Sequence, residues 1–271
     1  MWYTCRMKKR MVITAVLFAA AALVFWFFYP LRSYIVMGLY SARQNAQSVM
    51  AKSGFRIDMP SGGGWYPFVL TYNASGFRDW AGIGADMSIM YNFGAFDALT
   101  RTSSIYDVNS DRYSSFYGAY AIKKDSGAFG FSEGAEPVLE EIEAAVRYDY
   151  TQLVMRGFGC DDPVFDIEYI SVQKEREFAG TAGWTRIDAR IEASGAAHNF
   201  RTDRTAYIQY GPPAGKTPSD FAKTELYGRV YAAYLSDFGC TVMIYVIAPS
   251  KDAVEECAEN ILRKTRIVRL Q

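Results

Sequence analysis

The apolar positions along the chain predict one long N-terminal helix followed by a separate folded region. Apolar residues run from Met11 to Tyr29, interrupted only by Thr14. At about 1.5 Å per residue this run spans about 28 Å of helix, which nearly matches a hydrocarbon core of roughly 30 Å. We therefore expect a transmembrane anchor at residues 11–30, preceded by a cytoplasmic tail at residues 1–10.

The end of this run favours an uncleaved anchor over a cleaved signal peptide. Signal peptidase requires small residues just before the cut, whereas the run closes with the bulky segment VFWFFY at residues 24–29. Two alternatives stay open. One is cleavage further on, near Ser41 or Ala42, and the other is a buried helix of a soluble protein.

The basic residues around the run set its expected orientation. Arg32 and Arg43 follow it within about 15 positions. Four basic residues precede it: Arg6, Lys8, Lys9 and Arg10. The positive-inside rule then places the N-terminus in the cytoplasm. We expect a single-pass protein of the cell membrane, with residues 11–30 in lipid and an extracytoplasmic C-terminal domain.

The charge balance argues against a nucleic-acid-binding protein. The chain carries 29 basic and 29 acidic residues. Because four basic residues precede the anchor, the chain after it is mildly acidic. Nucleic-acid binders usually show an excess or a patch of basic residues. The sequence therefore predicts no nucleic-acid partner.

Hydrophobic periodicity changes from helical to alternating after the anchor. Residues 31–53 have helical spacing and are expected to form a juxtamembrane helix or stalk. From residue 85 the apolar positions alternate with polar ones, as in a half-buried strand. We expect Met87, Ile89, Tyr91 and Phe93 on the buried side, and Asp86, Ser88 and Asn92 on the other. The segment PFVLTY, at 67–72, is the expected partner strand.

Two further hairpins are predicted. In WTRIDARIEA, residues 184–193, the alternation predicts that Thr185, Ile187, Ala189 and Ile191 face inward. Its expected partner is RTAYIQY, at 204–210, through a turn at 194–199. The second hairpin joins RVYAAYL to CTVMIYVIA through Ser236, Asp237 and Gly239.

Two amphipathic helices complete the pattern. Residues 136–157 combine Pro137 in the first turn with a broad apolar face, and residues 250–264 begin at the N-cap residue Ser250. Antiparallel strands with a few helices predict an α+β domain at residues 54–271, an antiparallel sheet covered by helices.

Two segments resemble PsbP-like domains. GFRIDMPSGGGW, at 54–65, is similar to the first strand and turn of that superfamily. GCTVMIYVIAPSKDAVEECAENILRKTRI, at 239–267, is similar to its closing strand, helix and final strand. The segment from Asp97 to Ser132, with YGAY, departs from the pattern. The resemblance implies an α/β/α sandwich that serves in binding or assembly, and neither segment is a catalytic signature.

Candidate catalytic and metal-binding residues are few. The single histidine, His198, lies in a predicted turn, and no nucleophile, zinc or phosphate-loop motif accompanies it. Asp107, Asn109 and Asp111 match the opening of a calcium loop, but Arg112 and Gly118 stand where that loop needs glycine and glutamate. An ordinary turn is the alternative interpretation. We predict no metal, no cofactor and no catalytic residue.

The cysteines of the outward domain allow one disulfide. Cys160, Cys240 and Cys257 are an odd number, so one thiol must remain unpaired. Cys257 lies on the predicted buried side of a helix, which leaves a Cys160–Cys240 bond as the candidate. Three free thiols are the favoured alternative, because a cell envelope makes few disulfides.

These patterns predict a non-enzymatic, membrane-anchored module of the cell envelope. We expect it to bind an envelope protein, peptide or glycan through an aromatic-rich sheet face or loop. The alternative is an envelope hydrolase or transferase that uses acidic residues, with Asp161, Asp162 or Glu168 as the acids. A pocket with converging carboxylates would favour the enzyme, and a flat aromatic patch would favour the binder.

Overall fold

The computed structural model describes residues 2–27, 29–60, 70–92, 108–133, 135–195 and 221–270. The helices are α1 (Trp2–Phe27), α2 (Tyr29–Ala46), α3 (Val49–Lys52), α4 (Phe77–Ala81), α5 (Leu139–Tyr148), α6 (Arg156–Phe158) and α7 (Lys251–Asn260). A π-helix, Asp149–Met155, joins α5 to α6. The strands are β1 (Phe55–Asp58), β2 (Leu70–Asn73), β3 (Ala85–Asn92), β4 (Phe116–Lys124), β5 (Phe165–Phe178), β6 (Thr181–Ser194), β7 (Lys223–Leu235), β8 (Cys240–Ala248) and β9 (Arg266–Arg269).

Seven strands form one antiparallel sheet in the order β2-β3-β4-β8-β7-β6-β5. The two remaining strands, β1 and β9, pair with each other. Antiparallel strands combined with helices that lie outside the sheet confirm the predicted α+β class.

Each face of the large sheet carries its own buried cluster. The first cluster lies beneath α4, α5 and the π-helix, where Phe77 and Ile142 pack on the strands. The second lies beneath α3, α7 and the β1–β9 pair, where Met50 and Val254 pack on the opposite side. The sheet is therefore a central layer with apolar contacts above and below it.

Burial on both faces changes the expected pattern of β3. Met87, Ile89 and Tyr91 are buried as predicted, whereas Phe93 lies outside the described residues. Ser88, which we expected to face water, is only 1% exposed. Its hydroxyl accepts a hydrogen bond from the Val49 N–H at the start of α3, at 2.8 Å. The alternation therefore identifies one buried face but not the second.

The predicted hairpins have different outcomes. The inward side of β6 is confirmed, because all four predicted residues are buried. The segment at 204–210 lies outside the described residues, and β6 pairs with β5 and β7, so the predicted pairing was wrong. The hairpin of β7 and β8 is confirmed, with Leu235 opposite Cys240. The N-cap at Ser250 is also confirmed, since its hydroxyl accepts from the Ala253 N–H.

The helix predicted at residues 136–157 is divided. It begins at Leu139, after Pro137 pairs with Phe131 in an isolated bridge. The α-helical part ends at Tyr148, and the π-helix follows at once. The wider π-helical turn breaks the α-helical period, and the buried residues within it are Asp149, Tyr150, Thr151 and Met155.

The segment predicted as a stalk lies against one edge of the sheet. The hydroxyl oxygen of Ser41, on α2, accepts the Thr71 N–H of β2 at 2.8 Å. The Gln44 side-chain oxygen accepts the Asn73 N–H at 3.2 Å. These side chains occupy the place of a neighbouring strand, so α2 protects an edge that would otherwise expose backbone donors.

The N-terminal helix α1 covers most of the predicted anchor. Its side chains from Met11 to Val24 are exposed. Among the described residues, no helix combines the length and the apolar composition that crossing a bilayer requires.

Candidate functional site

A buried carboxylate, Asp149, lies where the π-helix begins and is 3% exposed. The hydroxyl of Tyr120, on β4, donates to its Oδ2 atom at 2.7 Å. The hydroxyl of Tyr245, on β8, donates to the same atom at a long 3.4 Å, and that of Tyr91, on β3, donates to Oδ1. Three neighbouring strands thus direct tyrosine hydroxyls at one acid.

Gly118 makes this convergence possible. The strand register places it directly opposite Tyr91 on one side and Tyr245 on the other. A Cβ atom at this position would lie 1.9 Å from the Met90 carbonyl oxygen and 3.1 Å from the Tyr245 hydroxyl. The missing side chain therefore leaves room for the two flanking tyrosines, and Tyr120 reaches the acid from the same strand.

The surroundings of Asp149 shift its titration. Burial raises its pKa to about 6, although the three hydroxyl donors stabilise the charged form and pull the pKa back. Burial, followed by the nearby Asp149 charge, raises the pKa of Tyr91, Tyr120 and Tyr245 well above the ordinary value. The tyrosines therefore act as neutral donors, and Asp149 changes charge near neutral pH.

An apolar cavity of about 50 Å³ adjoins this cluster. It lies between the helical layer and strands β4 to β8 of the sheet. Its lining consists largely of the following apolar residues: Phe116, Ile142, Val146, Val154, Ile167, Ile187, Ala189, Ile191, Val230, Val246 and Ile247. Asp149, Tyr120 and Tyr245 lie at one part of this lining, so the cavity has apolar walls and one hydrogen-bonded polar group.

Glu143 and Tyr169 form a second polar part of the cavity lining, near the surface. The Tyr169 hydroxyl donates to Glu143 at 2.9 Å, and Arg147 pairs with Glu143 at 2.7 Å. Glu143, Val146 and Tyr169 are partly exposed, which places the approach to the cavity between α5 and β5. Burial, together with Glu143, raises the pKa of Tyr169. These contacts hold α5 against β5 at the opening.

The size of the cavity limits what it can hold. An engineered apolar cavity that binds benzene measures about 150 Å³. A space of about 50 Å³ therefore suits a group of a few carbon atoms and excludes a sugar ring. Because each oxygen of Asp149 accepts at least one tyrosine hydroxyl and the walls are apolar, this site can hold a small apolar group.

A polar groove of about 440 Å³ lies elsewhere on the sheet, over β5, β6 and β7. Asp166, Glu192 and Glu225 are direct cross-strand neighbours in this groove. Like charges placed directly opposite are unfavourable. Arg190 pairs with Glu168 and Glu225, and Lys223 pairs with Glu192, so basic side chains partly neutralise the row.

The acids singled out in the sequence are not brought together. Glu168 lies in the polar groove, whereas Asp161 and Asp162 are exposed on the loop before β5. Asp107 and His198 lie outside the described residues. Asn109 and Asp111 are both exposed in a turn, and within the described residues no cluster of metal-ligating side chains occurs.

The candidate Cys160–Cys240 disulfide is not formed in this structure. Both thiols are free and buried, as is that of Cys257. Cys160 belongs to the first cluster and Cys240 to the second, so the sheet separates them. Burial raises the pKa of Cys240 and of Cys257 to about 12, which keeps both thiols protonated.

Sequence patterns did not identify Asp149 as a site residue. The available signals were an acid inside a predicted apolar helix face and the tyrosines that flank the glycine in YGAY. Neither signal shows that Tyr91 and Tyr245 meet the same acid, because that depends on strand order.

Comparisons with known proteins find no relative of this chain. A scan against protein-family models, a search of curated proteins and a search of solved structures each give no match. The resemblance to PsbP-like domains therefore stays a prediction, and the site is interpreted from its own geometry.

Proposed function

We propose that this protein is a membrane-anchored, extracytoplasmic binding module of the cell envelope and is not an enzyme. Its ligand is a protein or peptide that inserts one small apolar side chain between α5 and β5. The cavity of about 50 Å³ carries this proposal, because it joins a partly exposed opening to apolar walls. The PsbP-like sandwich, if shared, agrees with a binding role.

Support for the anchor comes from the N-terminal segment. Met11, Leu17 and Phe18 are each more than 60% exposed on α1. Exposed apolar side chains along a helix need an apolar environment, and a bilayer provides it. The basic residues before the run favour a cytoplasmic N-terminus and an outward domain.

The geometry around Asp149 supports binding over catalysis. A carboxylate pair for glycoside hydrolysis needs two acids about 5 to 9 Å apart across a cleft that admits the substrate. Asp149 instead accepts hydroxyls from three buried tyrosines, and the adjoining space is too small for a sugar. We assign Asp149 to holding the π-helix on the sheet.

Cavity filling tests the proposal in the full-length chain. Xenon occupies small dry apolar cavities, so ¹²⁹Xe NMR reports whether this one is accessible. Ala189→Val adds two methyl groups to the lining and should abolish the xenon signal, together with binding of peptides selected by display on the wild-type chain. Ala182→Val, at an exposed position of the same strand, should keep both. Selected peptides that bind Ala189→Val as tightly as the wild type would contradict the proposal.

A second candidate function is an envelope hydrolase or transferase that uses acidic residues. The row of Asp166, Glu192 and Glu225 in the open groove favours this candidate. Like charges on directly opposite residues lower the stability of a sheet, and a catalytic role would explain why the three acids are placed together. Turnover of chromogenic esters, phosphates or glycosides that Glu192→Gln abolishes would support this candidate. Absence of turnover, with a small gain in stability for Glu192→Gln, would mark the row as a charged surface.

A further inference from the structure

Gly228 lies in the middle of β7, where the backbone does not require glycine. Its φ is outside the left-handed region, and β7 pairs with β6 and β8 without a register shift around it. A Cβ atom there would lie 2.9 Å from Ile191 Cδ1, the end of a flexible side chain, and 3.9 Å from the Val246 carbonyl oxygen. Glycine inside a strand often marks a bulge, a bend, or a close approach by backbone or ligand. Regular pairing and the absence of close backbone favour a ligand.

A second small residue lies beside Gly228. Ala189, on β6, is its direct neighbour in the register, and both residues line the apolar cavity. The rows on either side carry branched side chains, paired as follows: Ile187 with Val230, and Ile191 with Leu226. Residues on the same face of a strand are about 7 Å apart. The space over Ala189 and Gly228 is therefore a slot one row wide between branched walls.

The slot runs across the strands from the surface to a closed inner end. Tyr169, the neighbour of Ala189 on β5, is partly exposed and lies at the opening. Ile247, the neighbour of Gly228 on β8, and Phe116 beyond it are buried and close the inner end. Adjacent strands are about 4.8 Å apart, so a slot over two strands is about 10 Å long. Its shape is that of a straight, narrow channel.

We propose that the Ala189–Gly228 pair selects the side chain that enters the cavity, and that this side chain is the unbranched one of methionine. The proposal rests on the proposed function, because it specifies the small apolar side chain that a partner inserts. An unbranched chain follows a slot one row wide, whereas a second branch meets the wall at Ile187 or Ile191. Methionine is flexible, and its sulfur makes favourable contacts with aromatic rings such as that of Phe116.

Two hydrocarbon isomers test the shape of the slot in the full-length chain. n-Butane and isobutane contain the same atoms and differ only in branching. NMR titration with the Ala189 methyl group isotopically labelled reports occupancy of the slot itself. We expect n-butane to bind the wild-type chain about tenfold more tightly than isobutane. Gly228→Ala narrows the slot and should weaken n-butane binding about tenfold, whereas Gly157→Ala, on α6, should leave it unchanged.

Ala189→Gly tests the slot in the opposite direction. This variant widens the slot, so isobutane should bind to it about as tightly as n-butane does. A general loss of stability would not produce such a gain.

A random peptide library tests the assignment to methionine. Selection against the full-length chain should enrich methionine over leucine, and selection against Gly228→Ala should not. Replacement of the selected methionine by norleucine, which is also unbranched, should keep most of the binding, whereas leucine should weaken it about tenfold.

The outcomes separate this proposal from the proposed function. Equal binding of the two isomers to the wild-type chain, or equal enrichment of methionine and leucine, would overturn the selection and leave the cavity as a binding site. An isomer preference that Gly228→Ala leaves intact would overturn the role of the Ala189–Gly228 pair. Absence of any shift of the Ala189 methyl signal with xenon and with both isomers would overturn both proposals.

Discussion

Two aspartates on opposite faces of one sheet show how partners determine the behaviour of a buried acid. Asp149 accepts only neutral tyrosine hydroxyls in the described part of the chain, and burial raises its pKa. Asp188, on β6, accepts from Arg229 at 2.6 Å and from Arg186 at 2.8 Å. Partial burial raises the pKa of Asp188, but the two cations outweigh it and hold the pKa below its usual value.

The difference follows from what each face can supply. On the first face, donors come from β3, β4 and β8, where the strands present tyrosines around Gly118. On the second face, Arg229 extends from β7 and also pairs with Glu255 of α7 at 2.8 Å. A hydroxyl stabilises a carboxylate by hydrogen bonding alone, whereas a guanidinium adds an opposite charge.

The largest expected effect comes from filling the gap at Gly118. Gly118→Ala places a methyl group 1.9 Å from the Met90 carbonyl oxygen. This oxygen belongs to the backbone of β3 and cannot move away without disturbing the pairing of β3 with β4. We expect a loss of more than about 3 kcal/mol in the free energy of unfolding, measured by chemical denaturation. Gly157→Ala, at a helical position with no atom near the added methyl, should change it by less than about 0.5 kcal/mol. Equal stability of the two variants would disprove the close approach at Gly118.

Titration separates the two aspartates by the sign of their effect. The folded pKa of Asp149 lies above its unfolded value of 3.8, so its contribution to stability is complete below pH 3.8 and is lost as the pH rises through about 6. Relative to Asp149→Asn, the wild-type chain should therefore lose about 2.5 kcal/mol between pH 4 and pH 7. The measurement is denaturant unfolding across this range.

Asp188 should behave in the opposite sense. Its folded pKa is lowered below 3.8, so its contribution is present above that pH and is lost as the pH falls through the folded pKa. Asp188→Asn should cost about 2 kcal/mol near pH 7, because Arg229 is left buried with Glu255 alone. Parallel pH profiles for the two asparagine variants would refute the contrast.

The smallest expected effect distinguishes the tyrosines around Asp149. Tyr120→Phe removes a 2.7 Å bond to the carboxylate and should cost about 2 kcal/mol at pH 7. Tyr245→Phe removes the 3.4 Å bond to the same oxygen and should cost less than about 1 kcal/mol. Both losses should shrink at pH 5, where the acid is largely protonated. A larger cost for Tyr245→Phe than for Tyr120→Phe would show that the order of bond strengths is wrong.

Local patterns predicted the elements whose signals are local. The alternation at Thr185 to Ile191, the turn between Leu235 and Cys240, and the cap at Ser250 are all present. Each depends on neighbours within a few residues. The pairing of β6 with the segment at 204–210 failed because the choice between partner strands depends on the whole sheet.

The candidate site was beyond such patterns. Tyr91, Gly118, Tyr245 and Asp149 are far apart in the chain and meet only through the order β3-β4-β8. The π-helix then brings Asp149 to them. An acid in a helix with tyrosines elsewhere is common in sequences, so these two signals do not identify the cluster.

The sequence by itself determined the α+β class, the buried side of β6 and the hairpin of β7 with β8, because hydrophobic periodicity and turn residues act over a few positions. Only the tertiary structure decided which segments cover each face of the sheet, that α2 lies on its edge and that Asp149 lacks a cationic partner among the described residues. These depend on which distant segments become neighbours, and a neighbour supplies the desolvation, charge and hydrogen bonds that give a side chain its properties.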